Sequence, residues 1–437
     1  MVAPCLWLAG AWLGACGTDG GDASDGPRPV AAAGTQASAP AAAGFSGEPR
    51  VMDPALVRLR AALEFGRLEE VDQLLPRAAS AGAEEAVLRA RALALRGSRI
   101  DALRILADQA AARPLDPEPR GAAAEIYAAS GAFEDALREI LALERVSKTD
   151  PVVLRARGVA MLCKDGGAAS GLELLTRARA ADPSLPYCDR ALAQAHLLVG
   201  KEAAKRKDLP AALEHAEAST RFDPDEVDAQ RFHAECLAAA GRFAAARAIL
   251  DALAARGVPL GAEVALLEKR AGFDALLRGQ REEALARFVA ARAAGLDADG
   301  LGSAAELLVE AAAQAVEEGV RLFGEGNIDE AAARFALALE RDPAQLSARN
   351  HLAVCRLRQG RPSEAAPLWR EVLAMARAEG LALPEPVHLN LAHALSKAGD
   401  EDGAREALRD YLGREPGGRW VAETERALAA LGGPSGG

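Results

Sequence analysis

What this 437-residue chain lacks narrows it first. Aromatic side chains make up only 4% of it, so a core built on large rings is not on offer. β-Branched residues are sparse, which speaks against sheets, where their stiff side chains pack well. There is no basic excess. The 52 Lys and Arg stand against 63 Asp and Glu, for a net charge of −11. A nucleic-acid binder needs a basic footprint, so that class of partner is not expected. The six cysteines form no Cys-x-x-Cys pair, and Cys163, Cys188, Cys236 and Cys355 read as small buried hydrophobes. No glycine-rich loop of the kind that cradles a phosphate occurs. Neither His-Glu-x-x-His nor Gly-x-Ser-x-Gly occurs. Residues 1–16 are an apolar run, but too short to span a bilayer as a mature helix.

What remains is a chain dominated by alanine, with abundant Leu, Glu and Arg, all strong helix formers. Half of its residues are hydrophobic, enough for a core of small side chains in close helix contacts. The clearest local pattern is Ala312 to Pro343, two helices joined by one tight turn. Gly319 and Leu322 fall on the first helix, and Gly326-Asn327 breaks the pattern. Ala331, Phe335 and Ala338 share one face of the second helix, and Asp342-Pro343 ends it, because proline has no N–H and disfavours helix in the residue before it. Turn glycines recur about 34 residues apart, at 97, 131 and 166 and again at 326 and 360. A single helical pair cannot bury its own apolar face, so such pairs stack.

This arrangement of Gly319, Leu322, Gly326, Ala331, Phe335, Ala338 and Pro343 resembles the tetratricopeptide repeat, with Glu318 where that family has a large residue. The resemblance implies an all-α fold, an α-solenoid of about ten helix-turn-helix repeats with a C-terminal capping helix. N-terminal repeats are expected over 51–185, central ones over 186–300 and C-terminal ones over 301–418, with the cap and tail over 419–437. Residues 17–50, rich in Gly, Ala, Pro, Ser and Asp, read as a flexible linker. Residues 1–16 look like a secretory signal, and Leu13-Gly14-Ala15-Cys16 resembles a bacterial lipobox. That resemblance implies lipidation at Cys16, an exported protein held on a membrane, and a place in the bacterial envelope. Gly17 after the cysteine favours the outer membrane over the inner.

No set of residues points to catalysis. His351 and Cys355 are four apart on one helix, as two metal ligands would be, but no second pair completes a site. His388 and His393 are five apart, a poor helical match, and His196, His215 and His233 lie in different helices. The chain is therefore expected to be no enzyme and to hold neither cofactor nor metal. In the repeat family the first helices of each pair line a groove for peptides. Carried over by phase, that groove would present Asn350, Arg358, His393, Ser396 and Lys397. Asn bonds a peptide backbone, and Arg and Lys take carboxylates. The resemblance implies a protein-interaction scaffold or adaptor that assists assembly of an envelope complex. Two alternatives stay open: a groove that binds a small ligand or catalyses without a recognisable motif, and an accessory module to a separate enzyme.

Overall fold

The computed structural model describes residues 54–76, 83–381 and 386–431. The expected leader, the linker and Cys16 lie outside these residues. The described residues are helical with no strand, and the 22 helices comprise ten pairs, one short helix and a last single helix. The chain divides into two compact units, the division falling between Cys236 and Leu237.

The first unit contains α1 (Pro54–Glu64) and α2 (Leu68–Leu74), α3 (Ala83–Leu95) and α4 (Arg99–Ala112), α5 (Pro117–Ala129) and α6 (Phe133–Glu144), α7 (Pro151–Leu162) and α8 (Ala168–Ala181), and α9 (Asp189–Lys205) and α10 (Leu209–Phe222). The division falls within α11 (Val227–Ala239), whose pair mate is α12 (Phe243–Ala255). The second unit continues with α13 (Gly261–Leu277) and α14 (Arg281–Ala293), the short α15 (Ala298–Leu301), α16 (Ser303–Gly324) and α17 (Ile328–Arg341), α18 (Leu346–Arg358) and α19 (Pro362–Ala378), and α20 (Val387–Lys397) and α21 (Glu401–Arg414). It closes with α22 (Val421–Leu431).

Local chemistry sets the ends of these helices. Asp116 and Asp150 each accept a hydrogen bond from the backbone N–H two residues on, and a proline fills the first helical position after each. The turns between pair mates need a left-handed residue. Gly326 (φ +87°) and Gly360 (φ +73°) supply it without strain, whereas between α9 and α10 the position falls to Lys207 (φ 63°). Inside several pairs, a small residue on the first helix admits a bulky one from the second. A Cβ on Gly319 would lie 2.7 Å from the Phe335 ring, and one on Gly158 would lie 2.8 Å from Leu175. Phe335 is fully buried there among Leu322, Ala331, Ala332, Leu352 and Cys355. The last pair is covered by α22. The buried His388 stacks on Tyr411 at 3.6 Å, and its Nε2 lies 2.9 Å from Thr424 Oγ1.

Candidate protein-binding surface

Counting back from the turn glycine places corresponding residues of each first helix on one stripe. Ten, six, three and two positions before Gly326 stand Val316, Val320, Phe323 and Gly324. Before Gly360 the same positions hold Asn350, Val354, Leu357 and Arg358, and before Gly399 they hold Leu389, His393, Ser396 and Lys397. All five sequence-predicted residues fall on this stripe. Arg358 places its guanidinium 5.4 Å from the Phe323 ring centroid, so the stripes of α16 and α18 are neighbours.

The stripe is open to solvent at most of these positions. Val320 is 45% exposed; Phe323, Val354, Leu357 and Leu389 are half-buried; Arg358, His393 and Lys397 are exposed, and Ser396 is half-buried. Asn350 differs. It is buried, and its Oδ1 accepts from Trp369 Nε1 at 2.8 Å, so that oxygen is committed inside the repeat. Among the described residues neither Arg358 nor Lys397 forms an ion pair. The result is an apolar band, Val320, Phe323, Val354 and Leu357, bordered by the two cations. Sequence reading found the polar members and passed over the apolar ones, which resemble core residues until their exposure is known. Their signal was the shared register with the turn glycine.

In α3 and α5 of the first unit the same register is closed. Six positions before Gly97 and Gly131 stand Arg91 of α3 and Glu125 of α5. Arg91 donates to Glu118 (2.8 Å) and Glu125 (2.9 Å). The fully buried Arg155 of α7 donates to Glu125 (2.7 Å), to Glu118 (3.0 Å) and to the carbonyl of Pro186 (2.8 Å). Tyr187, in the connection between α8 and α9, lies under Arg91 with 3.9 Å from guanidinium to ring centroid. Burial alone would raise the Glu125 carboxyl, but Arg155 and Arg91 outweigh it and hold it below the ordinary range. Arg155 is pushed up by Glu118 and Glu125 against the same burial. Removing one member of such a network strands a buried charge. Glu64 of α1 adds a second clasp, its Oε1 accepting from the backbone N–H groups of Asp189 (2.8 Å) and Arg190 (3.2 Å) at the start of α9.

The other candidates separate or combine as follows. Cys355 is buried, its thiol pushed up to about 11 by that burial, while His351 stacks on Phe335 and its Nδ1 lies 2.7 Å from the Ser347 carbonyl. His388 is buried and His393 exposed, on different faces of α20. The structure does bring His196 and His215 together across α9 and α10, with 3.0 Å between their Nδ1 atoms. Burial, then His215 and Arg221, pushes His196 down to about 4. His233 sits apart from that contact, with its Nδ1 3.3 Å from Thr220 Oγ1. Among the described residues no group of three or more His, Cys, Asp or Glu is placed to hold a metal ion, and no helix is long and apolar enough to cross a membrane.

Stacked helix pairs joined by left-handed turn residues, with small-to-bulky contacts inside several pairs, define an all-α repeat protein. Residues 322–383 match the tetratricopeptide repeat family model, and the other described pairs are likewise two helices joined by one tight turn. No curated protein matches the sequence. Among solved structures, the chain is similar to a tetratricopeptide repeat protein from Parabacteroides merdae at 14% identity, covering 58% of this chain and 96% of that one, with a TM-score of 0.29. It is also similar to the TPR2AB domain of yeast Sti1 in complex with an HSP90 peptide (16% identity, 55% of this chain and 99% of that one, TM-score 0.25). A third is the APC/C hetero-tetramer Cut9-Hcn1 (14%, 86% and 89%, TM-score 0.26). At these scores no arrangement of repeats and no partner carries over.

Proposed function

We propose that the protein is an interaction scaffold whose partner docks on the stripe of α16, α18 and α20. The observation that carries this reading is the contrast within one register. Arg91 and Glu125 are locked in a buried network, whereas Val320, Val354 and His393 are left accessible. An apolar band with a cationic border suits an extended or helical segment that offers apolar anchors beside carboxylates. The tetratricopeptide construction supports a protein or peptide partner as the ligand class. The test is a crosslinked pull-down from the native cell, with the Arg358→Glu, Lys397→Glu variant run beside the unaltered protein. Loss of one or two partners from the variant is expected, and an unchanged set of partners would refute this placement.

The same reading makes the protein an exported lipoprotein of the bacterial envelope, assisting assembly of a complex there. The lipobox-like Leu13-Gly14-Ala15-Cys16 and the linker composition after it support this. Cys16→Ser is expected to move the protein from the membrane fraction to the soluble one, and full membrane retention would contradict lipidation.

A further inference from the structure

The outward face of α6 carries an apolar ridge that its own unit leaves uncovered. Phe133, Leu137 and Leu141 follow one another at four-residue spacing, 36%, 54% and 48% exposed. Three large apolar side chains in one row on a helix face form a patch of the kind that marks an interaction site.

The charges around the ridge are unevenly used. Arg138 pairs with Asp135 (2.7 Å), Glu139 with Arg120 (2.8 Å) and Glu144 with Arg157 (3.1 Å). Glu134 and Arg145, both exposed, form no ion pair among the described residues. They stand at opposite ends of the ridge, eleven residues apart and about 16 Å along the axis. Their angular positions differ by only about 20°, so they share one flank.

We propose that α6 is a homodimerisation surface that pairs antiparallel with α6 of a second copy of this chain. With the two-fold axis midway between Glu139 and Ile140, Glu134 meets the second copy's Arg145. Leu137 packs beside the second copy's Leu141. In an antiparallel pair like flanks face each other, so both unpaired charges find partners, and the symmetry makes each contact twice. In a parallel pair opposite flanks face each other, so neither Glu134 nor Arg145 would meet the other.

Sedimentation velocity on the full chain carrying Cys16→Ser, which removes any lipid from the comparison, tests this. The chain is expected to be a dimer. Leu137→Glu is expected to make it a monomer with unchanged helicity, since that side chain holds up no core. Glu134→Arg and Arg145→Glu are each expected to weaken the dimer roughly tenfold or more, about 1.4 kcal/mol or more. The double swap is expected to restore it. A monomer at the highest soluble concentration overturns the proposal, as does a dimer that survives Leu137→Glu. A double swap no tighter than the singles overturns the stated register.

Discussion

Tyr187 shows how one residue changes the use of a surface. Its backbone is left-handed, and its ring lies under Arg91 while the neighbouring Pro186 carbonyl satisfies Arg155. Its hydroxyl has no hydrogen-bond partner among the described residues. Tyr187→Phe should therefore be close to neutral in chemical denaturation. Tyr187→Ala should cost about 3–5 kcal/mol, as large-to-small changes at buried aromatics do. Equal losses from both would show that the hydroxyl carries the contact. None of this was legible in the sequence. The backbone groups that Glu64 holds lie 125 and 126 residues away, where periodicity has no reach. Asn350 shows a related limit. Phase puts it on the stripe, but its commitment to Trp369 depends on a side-chain contact that spacing does not encode.

Two histidines add a pH dependence at the same scale. Burial pushes His388 to about 4, and burial with His215 and Arg221 does the same to His196. Unfolded histidine takes its proton near 6.5, so between about 6.5 and 4 the unfolded state binds more protons than the folded one. The stability these groups contribute is complete above that window and lost as pH falls through it. Melting temperature should fall across the window for the unaltered chain and fall less for His196→Gln, His388→Gln. Parallel curves would remove these two residues from the account.

At the scale of the helix pair, the sequence was most informative. Gly319 and Phe335 were readable because their partners lie within one pair, where fixed spacing means fixed contact. The structure adds the reason for the small residue, namely that the Phe335 ring already occupies the space a Cβ would need. Gly319→Ala should destabilise by about 1–3 kcal/mol through overpacking, despite alanine's better helix propensity. The neighbouring Gly324, with nothing within 4 Å of an added Cβ, is the control. Gly324→Ala should be neutral or stabilising. If both substitutions stabilise, the close-packing explanation of the repeat pattern fails.

For the whole molecule, the consequence is a division of labour along one chain. The same register of first-helix residues is filled by an ion network in α3 and α5 and left as an apolar band with a cationic border in α16 and α18. The number and order of the pairs were legible, because repetition is a property of the sequence itself. Which pairs would keep an open face was not, since that depends on what the Pro186-Tyr187 connection covers. The most direct measurement is a titration of the captured partner segment against three proteins: the unaltered chain, the double variant Leu357→Asp/Arg358→Glu, and Leu137→Glu as a surface control. Affinity is expected to fall roughly a hundredfold or more, about 2.7 kcal/mol, for the α18 variant alone. Equal affinity for all three would place the partner elsewhere and contradict docking on the stripe of α16, α18 and α20.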